Sequence, residues 1–92
     1  MFCCFGFAEQ DQASGLLFNS AVVIDPEGKL ALCCRKINAE CRWASPGNPY
    51  ADNTFDTPWG RMGVLICSDS YHALLPRMTV LRGAKLLLIP ST

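Results

Sequence analysis

GRMGVLICSD, residues 60 to 69, is almost wholly apolar from Met62 to Ile66 and turns polar immediately after Cys67. A short apolar run flanked by glycines predicts a strand buried on both faces, spanning Met62 to Cys67. Two readings of Cys67 follow. It is either one more small buried hydrophobe, as free cysteines commonly are, or a nucleophile held where a strand ends. A strand-to-helix turn suits the second role. There, backbone N–H groups are not yet committed to helical bonds and can stabilise a thiolate and a nearby oxyanion. The N–H of Ser68 is the natural donor.

Downstream, Leu74, Leu75, Met78 and Leu81 recur at helical spacing, with Pro76 suited to a first turn and Gly83 to the end. Lys85 to Ile89 (KLLLI) predicts a second buried strand, closed by Pro90. Strand, helix and strand form a crossover that makes the two strands parallel. In such sheets, chemistry gathers beyond the carboxyl ends of the strands. Asp69 is expected to cap the turn through its side chain.

Upstream, Phe2 to Ala8 and Ser20 to Ile24 are apolar and read as strands. Asp25-Pro26-Glu27-Gly28 predicts a type I hairpin turn, and Lys29 to Arg35 returns as the partner strand. Lys36 emerges at its end, either as a solvated lysine or as the fixed charge that lowers a thiol pKa. Asn38 to Asn53 is polar and broken by Pro46, Gly47 and Pro49, so it reads as a long loop, and loops of this length are often functional. Trp43 and Tyr50 within it either line a pocket or cover the sheet. A short strand over Thr54 to Asp56 precedes the turn Pro58-Trp59-Gly60.

The totals narrow the class. The chain has 92 residues, half of them hydrophobic, and its eight basic and eight acidic side chains cancel. This is one small domain or part of one. Without a block of like charge or a long apolar run, neither nucleic acid nor membrane is an expected partner. The opening MFCCFGFAEQ lacks the basic and apolar regions of a secretory leader, which predicts a cytoplasmic protein with reduced thiols. Of six cysteines, four form adjacent pairs, Cys3-Cys4 and Cys33-Cys34, which on strands point to opposite faces. Neither a disulfide framework nor a metal site is expected, and no cofactor is called for.

Three blocks in order resemble the nitrilase superfamily of carbon–nitrogen hydrolases. They are N-S-A-x-V-I-D-P-x-G over residues 19–28, Arg35-Lys36 at a strand end, and G-x-x-G-V-L-I-C-x-D followed by R-G-A-x-L-L-L-x-P over residues 60–69 and 82–90. The resemblance covers Phe5 to Ser91. It implies an α/β fold, a fragment of the four-layer αββα sandwich, with residues 1–92 a partial domain lacking N-terminal and C-terminal segments. It also implies a catalytic set of glutamate, lysine and cysteine. Cys67 is then the nucleophile that forms a thioester-type intermediate, and Lys36 and the Ser68 N–H stabilise the oxyanion. Glu40 stands about where many members carry a second, positioning glutamate.

The catalytic glutamate itself has no counterpart here. Glu9 matches a different family position and reads as a strand-end carboxylate. Ser68-Asp69 after the cysteine is closer to the amidase and carbamoylase branches than to the Trp-Glu of the nitrile branch. The expected substrate is therefore a small amide or carbamoyl compound. The alternatives are a nitrile-hydrolysing member and a non-catalytic truncated chain acting only as an interaction surface. The resemblance further implies self-association of the full-length protein, through helices near the cysteine. The isolated chain is expected to expose large apolar patches, because one helix cannot cover a sheet of about five strands.

Overall fold

A computed structural model describes residues 1–38 and 43–91. Its strands are β1 (Cys3–Gln10), β2 (Leu17–Ile24), β3 (Leu30–Arg35), β4 (Thr54–Thr57), β5 (Gly60–Val64) and β6 (Leu86–Leu88). Between β5 and β6 lie a 3-10 helix (Cys67–Tyr71) and a helix, α1 (Leu74–Leu81).

The strands do not join one sheet. They form two three-stranded sheets, ordered β1-β2-β3 and β4-β5-β6. The first is antiparallel throughout, and in the second β5 pairs with β6 in parallel, as the crossover pattern predicts. The Asp25–Gly28 turn forms as its residues dictate. Gly28 N donates to Asp25 O at 3.0 Å, Asp25 Oδ1 accepts the N–H groups of Glu27 and Lys29, and Gly28 takes a left-handed φ of 81°. A register shift between Val23 and Ile24 leaves Ala31 of β3 as an extra, bulged residue.

Strand alternation explains the packing. Ala21 and Val23 of β2 face the second sheet and meet Phe55, Val64 and Ile66, with Cys4, Leu32 and Cys34 packed around them. On the far side of β5, Gly63 lies under α1. A Cβ there would come within 2.3 Å of Thr79 Cγ2, so only glycine lets the helix approach this closely. The layers are sheet, sheet and helix, a partial αββα sandwich. The outer face of the β1-β2-β3 sheet has no covering layer among the described residues. Phe5 and Phe7 of β1 and Leu30 of β3 stand exposed, and Cys3 and Cys33 are exposed as well.

One expectation about the crossover is corrected. The strand expected to run to Cys67 ends at Val64. Extended pairing nevertheless continues beyond it, because Leu65 N donates to Leu88 O and Cys67 N to Pro90 O, at 3.0 and 2.9 Å. A 3-10 helix follows from Cys67, and α1 then begins at Leu74 with Pro76 in its first turn, as the spacing predicts. A proline is harmless there because first-turn N–H groups have no helical acceptor. Gly83, with φ of 100°, ends the helix as expected.

Candidate active site

Cys67 stands at the junction of the extended segment and the 3-10 helix, partly buried. Its φ is +47°, and among the described residues no other non-glycine residue has a positive φ. That conformation costs a residue with a Cβ about 1–3 kcal/mol and persists only where the surroundings enforce it. Here they do. Cys67 N is bonded to Pro90 O, and Cys67 O accepts the Ser70 hydroxyl at 2.8 Å. The sharp turn projects the side chain into a cavity of about 470 Å³ whose wall includes Gly6, Phe7, Asn19, Trp43 and Pro90. Trp43 is thus a pocket residue, while Tyr50 stands in solvent, 84% exposed.

Lys36 is not a solvated strand-end lysine. Leu32, Cys34 and Lys36 alternate onto the inner side of β3 and its continuation, and Lys36 is 5% exposed. Its backbone is tied on both sides, N–H to Asn19 O at 2.7 Å and C=O to Gly47 N at 2.9 Å. Gly47 is required at that contact, because a Cβ would lie 2.9 Å from Arg35 Cβ. The ammonium donates to the Asn38 carbonyl, to Ser68 Oγ at 2.7 Å and to Asp69 Oδ1 at 3.1 Å. An ammonium has three protons, and all three are engaged. The lysine therefore reaches the turn that carries Cys67 through the next two residues of that turn, and its third bond goes to the Asn38 carbonyl.

Ser68 is buried, with its hydroxyl on Lys36. Its N–H is a first-turn amide of the 3-10 helix, ahead of the bond from Asp69 N to Ile66 O that closes the first turn. Glu40 lies outside the described residues. Glu9 is a strand-end carboxylate as expected. It accepts Ser20 Oγ at 2.7 Å and both Nε and Nη2 of Arg35, and these bonds, that of Arg35 foremost, hold it below the usual carboxylate range. His72 is exposed. No cluster of metal ligands occurs among the described residues, where the five cysteines are free.

The expectation for Asp69 is corrected. Its side chain does not cap the turn. It crosses to the exit of β3, where Oδ2 accepts Ile37 N at 2.8 Å and Oδ1 accepts Asn38 N, Asn38 Nδ2 and the Lys36 ammonium. The carboxylate is 1% exposed and forms part of the wall of a second cleft, of about 420 Å³, shared with Cys34 and Leu75. No local pattern marks this residue, because its partners lie more than thirty positions away in sequence.

Two packed sheets with a helix against one of them, a cysteine at a strained turn and a buried lysine bonded to the next two residues make up a partial αββα sandwich. The chain belongs to the carbon-nitrogen hydrolase family, whose model matches residues 1–92. It is 34% identical to the human omega-amidase NIT2 over an alignment of 93 positions that covers 88% of this chain and 33% of that protein. The structure of Nit3 from Saccharomyces cerevisiae, a member of branch 10 of the nitrilase superfamily, superposes with a TM-score of 0.83 at 30% identity, over 94% of this chain and 32% of that one. A carbon-nitrogen hydrolase from Helicobacter pylori G27 gives 0.85 at 28% identity, over 99% and 33%. The chain therefore spans about a third of the length of these relatives.

Proposed function

We propose that this chain carries the nucleophile half of a site that hydrolyses a carbon–nitrogen bond in a small amide or carbamoyl compound. The thiolate of Cys67 attacks the carbonyl carbon, forming a C–S bond. The resulting oxyanion is held by the Ser68 N–H and by Lys36, which turns one of its protons from Ser68 Oγ toward it. Collapse breaks the C–N bond, and ammonia or an amine leaves with a proton. Water then adds to the thioester and releases the acid and the thiol. The base for that second step is not Glu9, which is committed to Arg35 and Ser20. The 92-residue chain on its own is accordingly expected to acylate without turning over.

The observation that carries this reading is the strained Cys67 turn, bonded at its next residue to a buried lysine. Ser68-Asp69 after the cysteine and the 34% identity to an omega-amidase favour amides over nitriles. Small neutral amides fit the part of the pocket described, where Asn19 and Ser91 are the polar lining residues. The reduced thiols suit the cytoplasm. Self-association of the complete protein belongs to the same proposal.

Acylation tests it without requiring turnover. The protein is exposed to an activated acyl ester, and its cysteines are mapped by mass spectrometry. Acyl transfer to Cys67 ahead of the other thiols, at least about tenfold slower in Lys36→Met, is the expected result. Acylation confined to the exposed Cys3 and Cys33, with Cys67 unmodified, would refute the nucleophile assignment.

A further inference from the structure

Asp69 is a buried carboxylate, and the chemistry proposed above gives it no step. It accepts four hydrogen bonds, and all of them come from three consecutive residues, Lys36, Ile37 and Asn38. Two are backbone N–H groups, which fix the path of the chain leaving β3. One is the Lys36 ammonium, whose remaining protons go to the Asn38 carbonyl and Ser68 Oγ. A lysine side chain has four rotatable carbon links and loses substantial rotamer freedom when held in one place. On the continuation of β3 only the Asn38 carbonyl holds the ammonium. The other two anchors, Ser68 and Asp69, come from the other sheet, on the turn of the nucleophile.

We infer that Asp69 is a positioning residue, which holds the Lys36 ammonium against Ser68 so that the lysine charge serves Cys67. The inference rests on the reading of Cys67 and Lys36 as nucleophile and partner. A purely structural role is the rival, and the two differ in the sign of an observable. Asp69 brings a negative charge to the turn two residues from Cys67, so deleting that charge without moving Lys36 favours the thiolate and leaves its alkylation as fast or faster. Deleting it and releasing Lys36 removes the stabilising cation and slows alkylation. Among the described residues, the other titratable groups facing this spot are Lys36 itself and Cys34 from β3, and both are unchanged in the variant.

The rate of Cys67 alkylation by iodoacetamide at neutral pH, followed by mass spectrometry on the 92-residue chain, reads this directly. Folding is checked by circular dichroism. Asp69→Asn is expected to slow alkylation roughly tenfold, as folded Lys36→Met or Lys36→Gln does. A rate that is unchanged or faster in folded Asp69→Asn, while the Lys36 variant is slowed, overturns the positioning role and leaves the catalytic pair standing. An unchanged rate in the folded Lys36 variant instead removes the pair, and the positioning role with it. Should Asp69→Asn not fold, Asp69→Glu decides, because it keeps the charge and displaces the ammonium by one methylene. A slowed rate in that variant supports the inference. A wild-type rate, or failure of both Asp69 variants to fold, assigns Asp69 to folding alone and overturns it.

Discussion

The Lys36 ammonium stands 3.1 Å from Asp69 Oδ1, and the two side chains retain only 7% and 2% of their exposure. The pair joins the two sheets. Lys36 leaves β3 of one, and Asp69 sits on the 3-10 helix that follows β5 of the other. Desolvation offsets much of the attraction in such a pair, yet removing one partner strands a buried charge.

Lys36→Met or Asp69→Leu alone is therefore expected to destabilise the fold by about 3–5 kcal/mol. The double variant, which removes both charges, is expected to recover most of that loss. Urea unfolding of the three variants against the wild type gives the coupling. Additive losses would show that the ammonium and the carboxylate do not share one environment.

Gly63→Ala is expected to cost about 1–3 kcal/mol through overpacking. The added methyl would meet Thr79 Cγ2 at 2.3 Å and Ala84 Cβ at 3.3 Å. Combining it with Thr79→Ser removes the offending methyl. That change keeps the hydroxyl that donates to Leu75 O and accepts from Asn53 Nδ2. The pair is expected to restore much of the midpoint in thermal or urea denaturation, an outcome that a generic loss of glycine flexibility does not produce.

Cys34 provides an internal control for thiol chemistry. Burial, followed by the neighbouring Cys33 and Cys4, pushes its thiol up to about 12. At pH 8 only about one molecule in ten thousand carries the thiolate there. Alkylation of the native protein is expected to spare Cys34 while Cys3 and Cys33, both exposed, react. In denaturant the difference should vanish. Early labelling of Cys34 in native buffer contradicts the packing described for the inner face of β3.

Glu9 sets part of the acid response. Its carboxyl is held below the ordinary 4.5 chiefly by Arg35, then by Ser20. A carboxyl with a depressed folded-state pKa contributes stability that is complete above its unfolded value. That contribution fades as pH falls through the lower, folded value. Glu9→Gln is expected to lose stability at pH 6 and to show a flatter decline below about pH 4.5 than the wild type. Parallel declines in the two proteins would mean that the Arg35 contact contributes nothing in solution.

The apolar side chains exposed on the outer face of the β1-β2-β3 sheet predict association of the 92-residue chain. Phe5, Phe7 and Leu30 are 48%, 37% and 61% exposed, and apolar surface gathered on one sheet face drives self-association. Concentration-dependent species are expected in analytical ultracentrifugation. Phe5→Thr/Phe7→Thr, which keeps strand propensity, should reduce them. A monodisperse monomer at all concentrations contradicts this.

What the sequence determined by itself was local and periodic. Asp25-Pro26-Glu27-Gly28 specifies a turn through short-range bonds, and the turn formed. The apolar runs specify strands, and the spacing of Leu74, Leu75, Met78 and Leu81 specifies a helix that ends at Gly83. The ordered blocks around Lys36 and Cys67 were enough to indicate the family. The tertiary structure decided the rest. Whether the strands formed one sheet or two depended on which faces met, and alternation alone is silent on that. Cys67 took a left-handed turn, and not a simple strand end, because Pro90 and Ser70 hold its backbone there. Asp69 became the partner of a buried lysine, and not a turn cap, because the exit of β3 folds against it. A carboxylate bonds whichever donors the fold brings within 3 Å, and sequence separation carries no information about that distance.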